Sequence, residues 1–198
     1  MTVLATSRLV LRPLAGGDLP ALENLFADRE HMWDLMDIPG RSNNPGDLSR
    51  YYVERSLWAF EHHGVGLWGI REKDLSNAPI IGYTGFVIDI GDDIDPAEKM
   101  EAGWAIARRA AGRGHAAEAT ARIIEHAFID LGTRSIEAIT SPHNLASRRL
   151  MSRLGFTYAS DVVAYQGSQV LYAISREEWL EECRSPAQQD GVSRQASW

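Results

Sequence analysis

One cysteine, Cys183, is all the thiol chemistry that this chain of 198 residues carries. It excludes an internal disulfide, no Cys/His cluster has metal-ligand spacing, and Cys183 itself reads as a thiol near a helix end. Basic blocks are missing too. A formal net charge of −7 without clustered Lys and Arg argues against nucleic acid as the main partner, while an acidic surface tolerates cationic amines. No apolar run is long enough to span a bilayer. Arg8 and Arg12 break the first apolar stretch, which has no signal-peptide architecture, so a cytoplasmic location is expected. There is no internal repeat. With 44% hydrophobic and 24% charged residues the composition is that of a globular protein, and the length suits one substantial core better than two. The expected organisation is a single domain over residues 1–183 and a polar, flexible tail over 184–198.

Hydrophobic periodicity orders the rest. Residues 7–14 alternate, with Leu9 and Leu11 on one side, which predicts a half-buried strand. Asp18 and Pro20 then open a helix carrying Leu22, Leu25 and Phe26. A breaker-rich loop over 37–47 leads to a second helix over 48–63; in this region Trp33, Tyr51, Tyr52 and Trp58 either line a substrate pocket or simply pack. Strands over 66–71, 80–90 and 99–106 follow, and the short turn-rich links at 73–79 and 91–98 favour an antiparallel meander. The second link holds Asp92, Asp93, Asp95 and Glu98 but lacks the glycine and distal Glu of a calcium loop, so it reads as a solvated turn. A helix from Ala116 carries Thr120, Ile123, Ala127 and Leu131 on one stripe and stops at Gly132, and a strand over 135–140 completes a parallel crossover unit. Asn144 caps a helix ending at Gly155, on which Ser147, Leu150, Met151 and Leu154 share one face. Strands over 156–163 and 168–175, closed around Gln166 and Gly167, and a short helix over 176–183 capped by Ser175 end the pattern.

The most specific stretch lies at the turn from the strand at 99–106 into the helix that follows: Arg109-Ala110-Ala111-Gly112-Arg113-Gly114-His115-Ala116. Two glycines let the backbone bend sharply and approach a ligand, and the first N–H groups of the helix have no intrahelical partner. With the helix dipole behind them, those groups suit a phosphate or pyrophosphate; a tight packing turn is the alternative. The stretch is not a Walker loop, since no Gly-Lys-Ser/Thr follows, and Ala117 stands where a dinucleotide fingerprint needs its third glycine.

Arg109-x-x-Gly112-x-Gly114 resembles the Q/R-x-x-G-x-G/A signature of the GNAT superfamily of acyl-CoA-dependent N-acyltransferases, in which this loop holds the coenzyme A pyrophosphate. Two further pieces stand in the family's order. Met100-Glu101-Ala102-Gly103-Trp104-Ala105-Ile106 is similar to its central strand, and Asn144-Leu145-Ala146-Ser147 through Leu154-Gly155-Phe156 is similar to its N-x-x-S...LGF segment. Together they look like the RimJ/RimL-like branch, which acetylates protein N-termini or small amines. The resemblance implies an α/β (α+β) GNAT fold. Its sheet is mixed and mainly antiparallel, of about seven strands flanked by helices, and splayed between the fourth and fifth strands, 102–106 and 135–140, where acetyl-CoA enters. It also implies that Trp104, Ala105 and Ile106, the loop residues Arg109, Ala110, Ala111, Gly112, Arg113, Gly114, His115 and Ala116, and Asn144 and Ser147 contact that cofactor.

The implied catalytic residues are Glu101 and Ser147. Where many relatives carry a tyrosine thought to protonate the departing sulfur, this chain has Met151, and a thioether donates no proton. Either Ser147, one turn earlier on the same face, takes over that contact, as the resemblance to the RimJ/RimL-like branch implies, or the thiolate leaves unassisted. Glu101 shares a face with Gly103 and Ala105; partly buried, it acts as general base or ammonium anchor, or else holds a neighbouring strand. Among the histidines, His143 beside Asn144 is the one expected near the site. The expected partners are acetyl-CoA and an amine acceptor, with no nucleic acid, no membrane and no metal, and with a homodimer left open. Rival readings are a longer acyl-CoA as donor and a CoA-binding or protein-interaction module without turnover.

Overall fold

The structure, a computed structural model, describes residues 2–32, 42–73, 79–165 and 167–184. Trp33, residues 37–41 of the breaker-rich loop, the centre of the link at 73–79, Gln166 and the tail from residue 185 lie outside the described residues. Among the described residues the strands, in chain order, are β1 (Leu4–Ala5), β2 (Leu9–Pro13), β3 (Leu67–Glu72), β4 (Gly82–Phe86), β5 (Lys99–Ile106), β6 (Ser135–Thr140), β7 (Thr157–Ala164) and β8 (Gly167–Ser175). The helices are α1 (Leu19–Ala27), α2 (Pro45–His63), α3 (His115–Glu125), α4 (Leu145–Arg153) and α5 (Arg176–Arg184).

The strands form one sheet in the order β1-β2-β3-β4-β5-β6-β8-β7, antiparallel throughout except for β5 against β6. The eighth strand relative to the sequence expectation is β1, two residues too short to show a period of its own. Alternation puts Leu67 and Trp68 of β3 on opposite faces, and each face has its own core. On one, Leu9, Leu11, Trp68, Ile70 and Phe86 pack with Ala119, Ile123 and Phe128 of the α3 segment. On the other, Leu67, Tyr83 and Ala105 pack with Leu22 and Phe26 of α1 and Tyr52 and Val53 of α2. Helices on both faces leave β4 wholly buried, which is why its sequence shows no polar alternation.

Three local expectations need correction. Asp18 sits at the α1 N-cap but makes no side-chain cap; its carboxylate accepts instead from the Ala15 N–H at 3.1 Å and from Arg71. The strand expected over 80–90 is confined to Gly82–Phe86, because the chain closes a turn in which Asp92 N–H donates to the Asp89 carbonyl and Asp89 N–H to the Asp92 carboxylate. The stripe of α3 also breaks: its continuation, His126–Leu131, is π-helical, and the wider turn rotates Leu131 outward to 37% exposure. Other caps form as expected. Asn144 Oδ1 accepts from Ser147 N–H at 3.1 Å, and Ser175 and Glu178 close a reciprocal capping box at the start of α5.

Candidate active site

The parallel pairing of β5 with β6 lasts for three residues, Lys99, Met100 and Glu101 against Ser135, Ile136 and Glu137. Beyond that point β5 pairs with β4 alone and β6 with β8 alone. The two strands diverge, and the sheet opens into a cavity of about 770 Å³. Glu101 lines the cavity from the last paired position, at the apex of the opening.

The cradle forms one end. After a short 3-10 turn, Arg108–Ala110, Gly112 has φ 76 and Gly114, the α3 N-cap, has φ 79. A Cβ at Gly112 would meet nothing within 4 Å, so the glycine is required there by backbone conformation and not by crowding. The first turn of α3 has no side-chain cap, and Gly112, Gly114, His115, Ala116 and Ala117 line the cavity, so the opening N–H groups of that helix are available to an anion. The loop is braced from below. Arg8 Nε and Nη2 each lie 2.6 Å from Glu118 Oε2, its Nη1 donates to the Arg113 carbonyl at 3.1 Å, and Glu118, wholly buried on α3, also accepts from Arg8 N–H, Ser7 and Thr6.

Of the residues expected at the cofactor, Trp104, Ala105, Ile106, Ala110, Ala111, Gly112, Gly114, His115, Ala116, Asn144 and Ser147 all line the cavity. Arg109 and Arg113 do not. Arg109 Nη2 donates to the Ile80 carbonyl at 3.2 Å, tying the loop to the segment that leads into β4, and Arg113 Nη1 lies 3.7 Å from Glu72. The side chain of His143 is exposed on the turn before α4, outside the cavity lining, so the histidine expected nearest the site is displaced by His31 and His115. His31 Nε2–H donates to the Ile106 carbonyl at 2.7 Å. Burial, followed by the charge of Arg8, lowers the pKa of His115.

At the other end, the Tyr165 hydroxyl donates to Glu101 Oε1 at 2.5 Å. Burial lifts the Glu101 pKa above its ordinary value; the Tyr165 hydrogen bond and the charge of Arg55 pull it down, and Glu137 and Asp89 push it up. Burial and the adjacent carboxylate raise Tyr165 as well, so the shared proton stays on the phenol. Tyr165, the residue after β7, has a positive φ of 52 and lines the cavity. Arg55, Tyr83, Arg149, Arg153 and Gln169 also line the cavity, and the sequence singles out none of them. Of the aromatics weighed in the sequence, Tyr52 faces the cavity, Tyr51 binds Asp89, and Trp58 stacks on His62 with ring centroids 4.4 Å apart.

Residues 8–157 match the family described as Acetyltransferase (GNAT) domain. The chain belongs to the GNAT acetyltransferase family. As such it is an enzyme of the acyl-CoA-dependent N-acyltransferase class. It is 26% identical over 162 residues to YkkB of Bacillus subtilis (strain 168), covering 81% of this chain and 88% of that protein. In structure it is similar to the ribosomal-protein-S5-alanine acetyltransferase of Vibrio fischeri, with a TM-score of 0.71 and 18% identity over 90% of this chain and 99% of that one. It is likewise similar to RimJ of Mycobacterium smegmatis in complex with CoA-disulfide, with a TM-score of 0.68 and 18% identity over 92% and 94%. These two likenesses carry the fold. Among the described residues no helix is long and apolar enough to cross a membrane, and no group of three or more His, Cys, Asp or Glu is arranged to hold a metal ion.

Proposed function

We propose that residues 1–183 form one catalytic domain that moves the acetyl group of acetyl-CoA to a primary amine by direct attack. The observation that carries this reading is the placement of Glu101, a half-buried carboxylate at the apex of a splayed sheet whose other end is a cradle of open backbone N–H groups. The cradle fits the donor: Gly112 and Gly114 hold the turn, α3 directs its unpaired N–H groups and dipole at a diphosphate, and β5 beyond Glu101 offers backbone groups that β6 leaves unpaired. Bound there, acetyl-CoA supplies an acetyl group activated as a thioester.

The chain's own residues supply the rest. An amine is mostly protonated at neutral pH and attacks only after losing a proton, and Glu101, with its pKa raised by burial, accepts that proton directly or through a water. Tyr165 holds one carboxylate oxygen in place without taking up charge itself. Ser147, held at the start of α4 by the Asn144 cap, offers a hydroxyl to the departing sulfur, a contact that the buried thioether of Met151 has no proton to make. Cys183 is exposed on α5, outside the cavity lining, which supports direct attack over an acyl-enzyme. A protein N-terminus is one candidate acceptor, by analogy with the Vibrio fischeri enzyme, and a small-molecule amine is the other.

The test is release of free thiol from acetyl-CoA in the presence of a panel of amines and peptides, with longer acyl-CoA donors in parallel. Sequential kinetics with acetyl-CoA as the preferred donor is the expected result. A stabilising shift with acetyl-CoA but no thiol release from any amine would leave a binding module and overturn the proposal. Faster release from a longer donor would overturn the acetyl assignment.

A further inference from the structure

Arg55 is a cation at the acceptor end of the cavity that the proposed chemistry leaves unused. It lies in the middle of α2, is 2% exposed, and lines the cavity beside Tyr52. Its guanidinium is half engaged. Nη1 lies 3.1 Å from Asp89 Oδ1 and 3.3 Å from the Tyr51 hydroxyl, and the guanidinium carbon stands 5.3 Å and 5.2 Å from the ring centroids of Tyr51 and Tyr52. Nη2 is buried and has no hydrogen-bond partner. Leaving a buried charged donor unpaired is costly, and native proteins avoid it unless something else completes the pair. Asp89 compensates the charge in part only: it is half exposed, and the same Oδ1 accepts from Tyr51 at 2.5 Å.

Arg55 is also close enough to Glu101 for its charge to hold the carboxylate's pKa down. The acceptor end therefore holds two opposite groups in one cavity lining, a carboxylate for an ammonium and a guanidinium with an unpartnered donor. A polyamine would bring a second positive charge towards a buried cation. A peptide carbonyl would satisfy the donor and leave the charge uncompensated. A carboxylate does both, through a charge-assisted hydrogen bond.

We propose that the acceptor is an amino acid-type zwitterion, whose carboxylate is bound by Arg55 while its amino group meets Glu101. The inference rests on the acetyltransferase reading above and narrows its acceptor. It is tested by thiol release from acetyl-CoA with the standard L-amino acids, the C-terminal amide of each, tripeptides beginning with the same residues, and spermidine. At least one free amino acid should show a kcat/KM about tenfold or more above that of its amide. Arg55→Met should abolish that preference by raising KM for the carboxylate form about tenfold or more, with the amide little affected and the acetyl-CoA thermal shift retained. Arg55→Lys, which keeps the charge and loses the planar fork, should fall between. Should Arg55→Met not fold, the carboxylate-to-amide ratio of the unmodified protein decides the matter. Amides, tripeptides or spermidine turned over as well as the free amino acids would overturn the inference and leave the acetyltransferase reading standing. Acetyl-CoA binding without thiol release from any amine would overturn both.

Discussion

At the cradle end of the cavity, Gly112, Gly114, His115, Ala116 and Ala117 contribute from one short stretch of chain, chiefly through backbone. At the acceptor end, Tyr52, Arg55, Glu101 and Tyr165 converge as side chains from α2, from β5 and from the end of β7. The difference is one of physics. A diphosphate is recognised by N–H groups and a helix dipole that any sequence supplies once its glycines permit the turn. An acceptor is recognised by where particular charges sit, and in this fold the charges of Arg55 and Glu101 come from separate elements, α2 and β5. One end is thus specified by conformation and the other by tertiary placement.

The largest expected effect lies at the acceptor end. Glu101→Gln should lower kcat by about 10²- to 10⁴-fold at neutral pH and leave the acetyl-CoA thermal shift nearly intact, which separates the two ends by experiment. Melting temperature gives the control. Because burial raises the Glu101 pKa, the fold prefers the protonated form; that stability is present at acid pH and is lost as pH rises through the raised pKa. At neutral pH the ionised carboxylate is a cost that Gln removes, so Tm should hold or rise. A Tm that falls while kcat survives would make Glu101 a structural residue.

The complementary break is Gly112→Val. A β-branched side chain at φ 76 is strained whatever the space around it, so the turn should shift and the cradle with it. In the unmodified protein, acetyl-CoA at about 100 times its dissociation constant should add roughly 2.7 kcal/mol of stability, and the variant should lose that shift. Retention of the full shift would mean that the cofactor is held elsewhere.

Two smaller effects sharpen the picture. Ser147→Ala should cost about tenfold in kcat or less, since one neutral hydrogen bond is worth roughly 0.5 to 1.5 kcal/mol. The ranking matters more than the value: a crippled Ser147→Ala beside an active Glu101→Gln would reverse the roles. The smallest effect is a pH shift. Tyr165 donates to the Glu101 carboxylate and so lowers its pKa; Tyr165→Phe should raise that pKa further and move the acid limb of the pH–rate profile upward. A limb that moves downward, or stays put, would remove Glu101 as the titrating base.

The elements were legible where the pattern is local. β5 and β6 match the strands read at 99–106 and 135–140, and the Asn144 and Ser175 caps follow from one residue type at a helix start. Errors arose where a local signal had a competing partner. Asp18 reads as a cap, yet the cation of Arg71, brought across from β3, is a stronger claim on its carboxylate. Leu131 reads as core because helical periodicity assumes a constant turn, and the π turn at His126–Leu131 alters it. His143 was placed near the site through its neighbour Asn144, and adjacency in sequence on a tight turn sends the two side chains to different surroundings.

The sequence by itself determined the strand order along the chain, the glycine turn before α3, the family that Arg109-x-x-Gly112-x-Gly114 and Asn144-x-x-Ser147 point to, and Glu101 as the carboxylate to watch. Each depends on residues within a few positions of one another, where periodicity, backbone freedom and capping act directly. Only the tertiary structure decided that Tyr165 reaches Glu101, that Arg8 braces the cradle through Glu118, and that Arg55 stands buried beside the acceptor end with one nitrogen unpartnered. A lone tyrosine in a turn or an arginine within a helix carries no local signature of such a role. Its energy depends on what packing removes from water and on which charges the fold then leaves facing one another.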